Sequence, residues 1–131
     1  MNIEETRDFY KTYDDICECA YCRNYIREVK KAYPDLVSFL DKIGVNIEKP
    51  FETMPGEPEN GRIEYFSVQY IVIGDKKDFS KTKLGEVAIH LAKSFPDPGI
   101  DCKYYVIELG PIILEWTIGE EIWKKYIKNL K

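Results

Sequence analysis

Four apolar segments in the second half of the chain restrict the fold most strongly, because they combine the two-residue period of β-strands with short connections. The first segment, residues 63–73, is predicted to turn one face inward, formed by Phe66, Val68, Tyr70 and Val72. The other three cover residues 86–93, 103–109 and 112–116. Connections of about ten residues leave no room for crossover helices, so we expect an antiparallel sheet of about four to five strands.

Two features of the sequence predict departures from a regular sheet. Gly110-Pro111 separates the last two segments too closely for most hairpins, so it predicts a bulge or bend within one long edge strand. Residues 45–62 are rich in proline and glycine, which predicts a loop with at most one short strand at 47–53.

Helices are predicted at both ends of the chain. Residues 4–13 favour a short helix, and residues 15–43 favour two helices that are separated near Pro34. Thr117 and Glu120 match a capping box, and the helix after them would bury one face, formed by Ile122, Trp123, Tyr126, Ile127 and Leu130. We therefore predict one α+β domain over residues 1–131, with N-terminal helices and a C-terminal helix packed on the sheet.

The charge of the chain argues against several classes of protein. A net charge of −4 is unfavourable for binding phosphates, so no nucleic acid partner is expected. The N-terminus is acidic where a secretory signal is basic, and no apolar run is long enough to cross a membrane. We expect a cytoplasmic protein with reduced thiols, so its four cysteines are not predicted to form disulfides.

Three cysteines fall within six residues, at Cys17, Cys19 and Cys22. Thiolates are the ligands that zinc and iron–sulfur centres select, and Cys102 is the predicted fourth ligand of a zinc site, with His90 as the alternative. On a helix Cys17 would point away from the other two sulfurs. A metal site therefore requires Cys17 to lie before the helix begins.

Two other interpretations of the cluster compete with a metal site. Cys19 and Cys22 fit the apolar face of the helix, where free cysteine often serves as a small buried side chain, and this interpretation is favoured. The pair also forms a Cys-x-x-Cys motif, which lowers a thiol pKa when it begins a helix and would support redox chemistry.

No catalytic residue is predicted. His90 is the one histidine of the chain, and no serine near it lies in a nucleophile motif, so a structural role is favoured. The chain is rich in tyrosine, and Tyr21, Tyr65 and Tyr104 fall outside the predicted buried faces. These three tyrosines are the predicted contacts of an interface.

Two segments carry a resemblance. Residues 16–25, with the pattern Cys-x-Cys-x-x-Cys-x-Asn-Tyr, and residues 49–55, Lys-Pro-Phe-Glu-Thr-Met-Pro, resemble a family of small uncharacterised bacterial proteins. The resemblance implies an intracellular bacterial protein and brings no activity, cofactor or catalytic residue with it.

The sequence thus favours a binding or protein-interaction domain without catalytic activity, with a protein partner or a second copy of the chain as its ligand. The alternatives are a zinc-stabilised domain that uses Cys17, Cys19, Cys22 and Cys102, and a thiol-based redox enzyme.

Overall fold

The computed structural model of this protein describes residues 2–118. Within this range three helices are formed, α1 (Ile3–Thr12), α2 (Ala20–Ala32) and α3 (Pro34–Lys42). Asn2 caps α1, since its side-chain oxygen accepts a hydrogen bond of 3.0 Å from the backbone N–H of Glu5. Pro34 occupies the first turn of α3, which confirms the predicted break between the second and third helices.

Six strands form one antiparallel sheet in the described part of the chain. They are β1 (Glu52–Pro55), β2 (Arg62–Ile73), β3 (Thr82–Leu84), β4 (Val87–Leu91), β5 (Tyr104–Gly110) and β6 (Ile112–Glu115). The order across the sheet is β1-β2-β5-β4-β3, and β6 pairs with β2. The α+β class and the antiparallel sheet are confirmed. The sheet has more strands than expected because β3 was not predicted, and β1 begins later than the predicted short strand.

The bend predicted at Gly110-Pro111 joins β5 to β6. Both strands pair with β2 in one continuous register, since Leu109 lies opposite Val68 and Ile112 lies opposite Tyr65. At the bend a Cβ atom on Gly110 would collide with the backbone carbonyl of β2, so the close approach requires glycine. The prediction of an edge strand was wrong for β5, which lies between β2 and β4.

The same bend changes which side chains of β2 face the core. Tyr65 is fully buried and Phe66 is 54% exposed, whereas Val68 is again fully buried. Regular alternation would put Phe66 and Val68 on one face, so the prediction that Phe66 points inward was wrong. The prediction of Tyr65 as an interface residue was wrong for the same reason.

The main core lies between the inner face of the sheet and helices α2 and α3. A smaller apolar cluster covers part of the outer face around Ile71, Ile73 and Val106. The predicted C-terminal helix falls outside the described residues. Every helix within residues 2–118 is too short or too polar to span a bilayer.

Candidate metal centre

The three clustered cysteines lie where the chain enters α2. Cys17 precedes the helix, Cys19 is its N-cap residue and Cys22 lies in its first turn. Their three Sγ atoms all lie within 4.8 Å of one another. Cys17 therefore meets the condition that the sequence set for a metal site.

The three thiols differ in exposure. Cys17 and Cys19 are exposed to solvent, and Cys22 is buried with 6% of its surface accessible. Cys22 is buried, as its interpretation as a small core side chain expects, whereas the exposure of Cys19 contradicts that interpretation for Cys19. Cys19 leaves the core because the helix begins after it, so its side chain is not held on the buried face of α2.

Side chains of the sheet fix the position of the helix start. The hydroxyl of Tyr65 on β2 donates a hydrogen bond of 2.5 Å to the backbone carbonyl of Tyr21. One turn later, the amide of Asn24 donates to the carbonyl of Glu115 at 2.9 Å and accepts from the N–H groups of Thr117 and Ile118. These bonds hold α2 against the sheet at the level of the cysteines.

Two further contacts hold the sulfurs themselves. The backbone N–H of Cys19 lies 3.5 Å from the sulfur of Cys17 and donates to it. The sulfur of Cys22 lies 3.4 Å from the hydroxyl of Thr53, which belongs to β1. The cluster is therefore tied to the edge strand of the sheet as well as to α2.

The surroundings of Cys19 and Cys22 shift their pKa values in opposite directions. Burial raises the pKa of the Cys22 thiol to about 12. Burial also acts to raise the pKa of Cys19, but hydrogen bonds from the backbone N–H groups of Cys22 and Tyr21, together with the thiols of Cys17 and Cys22, outweigh it and lower that pKa. The exposed thiol of the pair is therefore the more acidic one.

A cavity of about 350 Å³ opens beside the three sulfurs. Its wall includes the carboxylates of Asp15 and Glu52 and the ring of Tyr13. Burial, together with the charges of these two carboxylates, raises the pKa of Tyr13 to about 12. The cavity thus combines soft sulfur donors with hard oxygen donors, and both kinds are ligands of zinc.

The two other predicted ligands lie elsewhere. Cys102 is exposed in the loop before β5 and does not belong to the group of three sulfurs. His90 on β4 also lies outside the group. Its Nε2 atom is 3.7 Å from a carboxylate oxygen of Glu108 on the neighbouring strand, and Gln69 donates to the other oxygen of Glu108 at 3.0 Å. This row of polar groups crosses three strands and accounts for His90 as a structural side chain.

Sequence reasoning missed three contributors to the site, which are Asp15, Glu52 and Thr53. No ligand role was predicted for Asp15, and the other two fell in a region predicted to be mostly loop. Glu52 and Thr53 reach the cysteines only because β1 pairs with β2 at the edge of the sheet. No local pattern in the sequence signals that pairing.

Comparisons with known proteins return no match, whether with protein-family models, curated proteins or solved structures. The resemblance of residues 16–25 to small bacterial proteins stays a prediction. The chemistry of the site follows from its geometry.

Proposed function

We propose that this protein is a zinc-binding domain in which Cys17, Cys19 and Cys22 supply three thiolate ligands. The observation that carries the proposal is the separation of the three Sγ atoms, which all lie within 4.8 Å of one another. Thiolates are soft ligands that zinc selects, and three thiols that can reach one ion supply most of a tetrahedral site.

The distances suit zinc after a small contraction. Zinc–sulfur bonds of about 2.3 Å place tetrahedral ligands about 3.8 Å apart, so each sulfur has to move by roughly 1 Å or less. Cys17 lies in the irregular segment before α2, where such a movement breaks no helical hydrogen bond. Zinc is preferred over harder cations because soft thiolates outnumber oxygen donors in the group.

The fourth coordination position falls to an oxygen donor. Asp15 and Glu52 line the same cavity as the three cysteines, and a water molecule is the alternative ligand. Catalytic zinc sites characteristically keep one such position open, whereas structural sites fill it with a fourth side chain. Because a cavity lies beside the three sulfurs, it provides the space for the open position that distinguishes a catalytic zinc site from a structural one.

The proposal is tested by elemental analysis of protein purified without chelator, combined with a count of reactive thiols under native and denaturing conditions. We expect near-stoichiometric zinc and three thiols that become reactive only after denaturation or chelation, whereas the exposed Cys102 reacts in the native protein. Cys17→Ser is the informative variant, because Cys17 is exposed and its replacement leaves the core intact. It should lose the zinc.

Cys102→Ser is the matched control, because it removes an exposed cysteine that lies outside the group. It should keep the zinc content of the unmodified protein. Zinc-free protein that takes up no zinc when the ion is added, or a Cys17→Ser variant that retains it, contradicts the proposal.

The protein-interaction function, with a protein partner or a homodimer, stays a prediction. Met54 and Phe66 support it, because they are large apolar side chains with exposures of 58% and 54% and lie on neighbouring strands.

A further inference from the structure

We propose a second activity for the same segment: in the metal-free protein Cys19 and Cys22 form a dithiol that exchanges with the disulfide of a small thiol. This activity goes beyond zinc binding, since it needs only two of the three cysteines. It also makes different demands on Cys17, so the two proposals can fail separately.

The first observation is the unequal exposure of the two thiols. Cys19 is open to solvent, and an external disulfide can reach its sulfur. Cys22 is buried, with 6% of its surface accessible, and is covered on one side by Thr53. An external disulfide therefore reacts at Cys19, and Cys22 reacts with partners that are already attached to the protein.

The second observation is the start of α2 around Cys19. Cys19 is the N-cap residue of α2, and the first turn of the helix contains no acidic residue. Free N–H groups at a helix start stabilise negative charge on a nearby sulfur. They support Cys19 both as the attacking thiolate and as the sulfur that accepts the second attack.

The third observation is the distance between the sulfurs. The Sγ atoms of Cys19 and Cys22 lie within 4.8 Å of each other, in adjacent positions along the first helical turn. A disulfide bond is about 2.0 Å long, so its formation requires the two side chains to rotate toward each other.

The reaction has two steps. The thiolate of Cys19 attacks one sulfur of the disulfide RSSR, a Cys19–SR bond forms, the S–S bond of RSSR breaks, and one RS⁻ leaves. Cys22 then gives up its proton to RS⁻ or to water, and its sulfur attacks Cys19. The Cys19–SR bond breaks and a second RS⁻ leaves. Overall the protein dithiol is oxidised to a disulfide, and RSSR is reduced to two RSH.

The test uses oxidised glutathione as the disulfide, with chelator present to keep the protein free of metal. Every variant carries Cys102→Ser, so that the exposed Cys102 does not react, and Cys22→Ser also carries Cys17→Ser, so that Cys17 does not displace the mixed disulfide. We expect the parent chain and Cys17→Ser to close a Cys19–Cys22 disulfide, found by peptide mapping and mass spectrometry. Cys22→Ser should stop as a mixed disulfide at Cys19, and Cys19→Ser should lose both products.

Three results would overturn the proposal. One is a Cys19→Ser chain that closes a disulfide as fast as the parent. Another is a parent chain whose disulfide joins Cys17 to Cys19. The third is a Cys22→Ser chain that forms no mixed disulfide although circular dichroism shows it folded; Cys22→Ala replaces it if it does not fold. Cys17→Ser separates the two functions, because it should lose zinc and keep the exchange reaction.

Discussion

Two successive turns of α2 differ in whether a ligand can reach their polar side chains. In the first turn, Cys19 and Cys22 face another sulfur and an open cavity, and their donor atoms have room for further ligands. In the next turn, the amide of Asn24 binds three backbone groups of the chain around β6. Tyr25 shares a hydrogen bond of 2.7 Å with Tyr70.

The first turn therefore belongs to the candidate binding site, and the second turn holds the helix in place on the sheet. The hydroxyl of Tyr70 donates to the carbonyl of Ile47 at 2.6 Å, so its one proton is used and Tyr25 must be the donor between the two rings. Asn24 and Tyr25 are fully buried and bonded within the chain, so no ligand reaches them, and they fix α2 on the sheet. The sulfurs one turn earlier border an open cavity. Changes in the second turn should therefore affect stability, and changes in the first turn should affect chemistry.

The largest effect on stability is expected from alkaline pH, which acts on tyrosine hydroxyls that the fold removes from water. Burial raises the pKa of six tyrosines within residues 2–118, which are Tyr10, Tyr13, Tyr25, Tyr65, Tyr70 and Tyr105. In the unfolded chain their pKa is about 10, so the stability they contribute is complete below that pH and is lost as the pH rises through the folded values.

We therefore expect the free energy of unfolding to fall steadily above about pH 10. Urea titrations at a series of pH values measure it, and the absorbance of tyrosinate reports ionisation. Ionisation of these tyrosines and unfolding should occur together. Full tyrosinate absorbance in protein that is still folded would contradict this prediction, because it would mean that these hydroxyls, including that of Tyr25 in the second turn, are not held in the core.

The next largest effect is expected from Asn24→Ala. It removes four hydrogen bonds, one of them to the Thr117 hydroxyl, and leaves the backbone groups of Glu115, Thr117 and Ile118 without this partner. We expect a loss of about 3 kcal/mol, measured by urea unfolding of the metal-free protein.

Two control variants sharpen this result. Asn46→Ala removes one exposed hydrogen bond to the N–H of Glu48 and should cost about 0.5 kcal/mol. Cys19→Ser, in the first turn of the same helix region, should change the free energy of unfolding by no more than about 0.5 kcal/mol, because its side chain is exposed. If Cys19→Ser destabilised the metal-free chain as much as Asn24→Ala, the first turn would contribute to folding stability as the second turn does, and the distinction between the two turns would be wrong.

The smallest expected effect is the difference in the free energy of unfolding between Tyr70→Phe and Tyr25→Phe. Tyr70→Phe leaves both the Tyr25 hydroxyl and the Ile47 carbonyl unpaired in the core, whereas Tyr25→Phe leaves the bond from Tyr70 to Ile47 in place. We expect a cost of about 2 kcal/mol for Tyr70→Phe and about 1 kcal/mol or less for Tyr25→Phe. Equal costs, or the reverse order, would show that the donor direction assigned here is wrong.

The two halves of β2 show how far a sequence pattern predicts a strand. From Val68 onward the side chains predicted to face inward, Val68, Tyr70 and Val72, are buried, and Ile71 and Ile73 are buried in the cluster on the outer face. Before Val68 the same pattern predicted the wrong face for Tyr65 and Phe66. The pattern assumes a regular pleat, and the bend opposite Gly110 interrupts it through an interaction between strands that are distant in sequence.

The candidate site divides in a similar way. The sequence predicted that Cys17, Cys19 and Cys22 form the cluster and that Cys17 must precede the helix. It did not predict which oxygen donors share the cavity. Asp15, from the segment before α2, and Glu52, from the edge strand β1, line the same cavity, and Cys102, the predicted fourth ligand, lies outside the group.

The sequence by itself determined the α+β class, the antiparallel sheet and the three-cysteine segment, because periodicity, short connections and local spacing are properties of neighbouring residues. Only the tertiary structure decided that Cys19 is exposed and Cys22 buried, that hydrogen bonds lower one pKa while burial raises the other, and that two carboxylates line the cavity. Each of these depends on where α2 begins and on what the sheet places beside it. Those positions are fixed by contacts such as that of Tyr65 with Tyr21, between residues far apart in the chain.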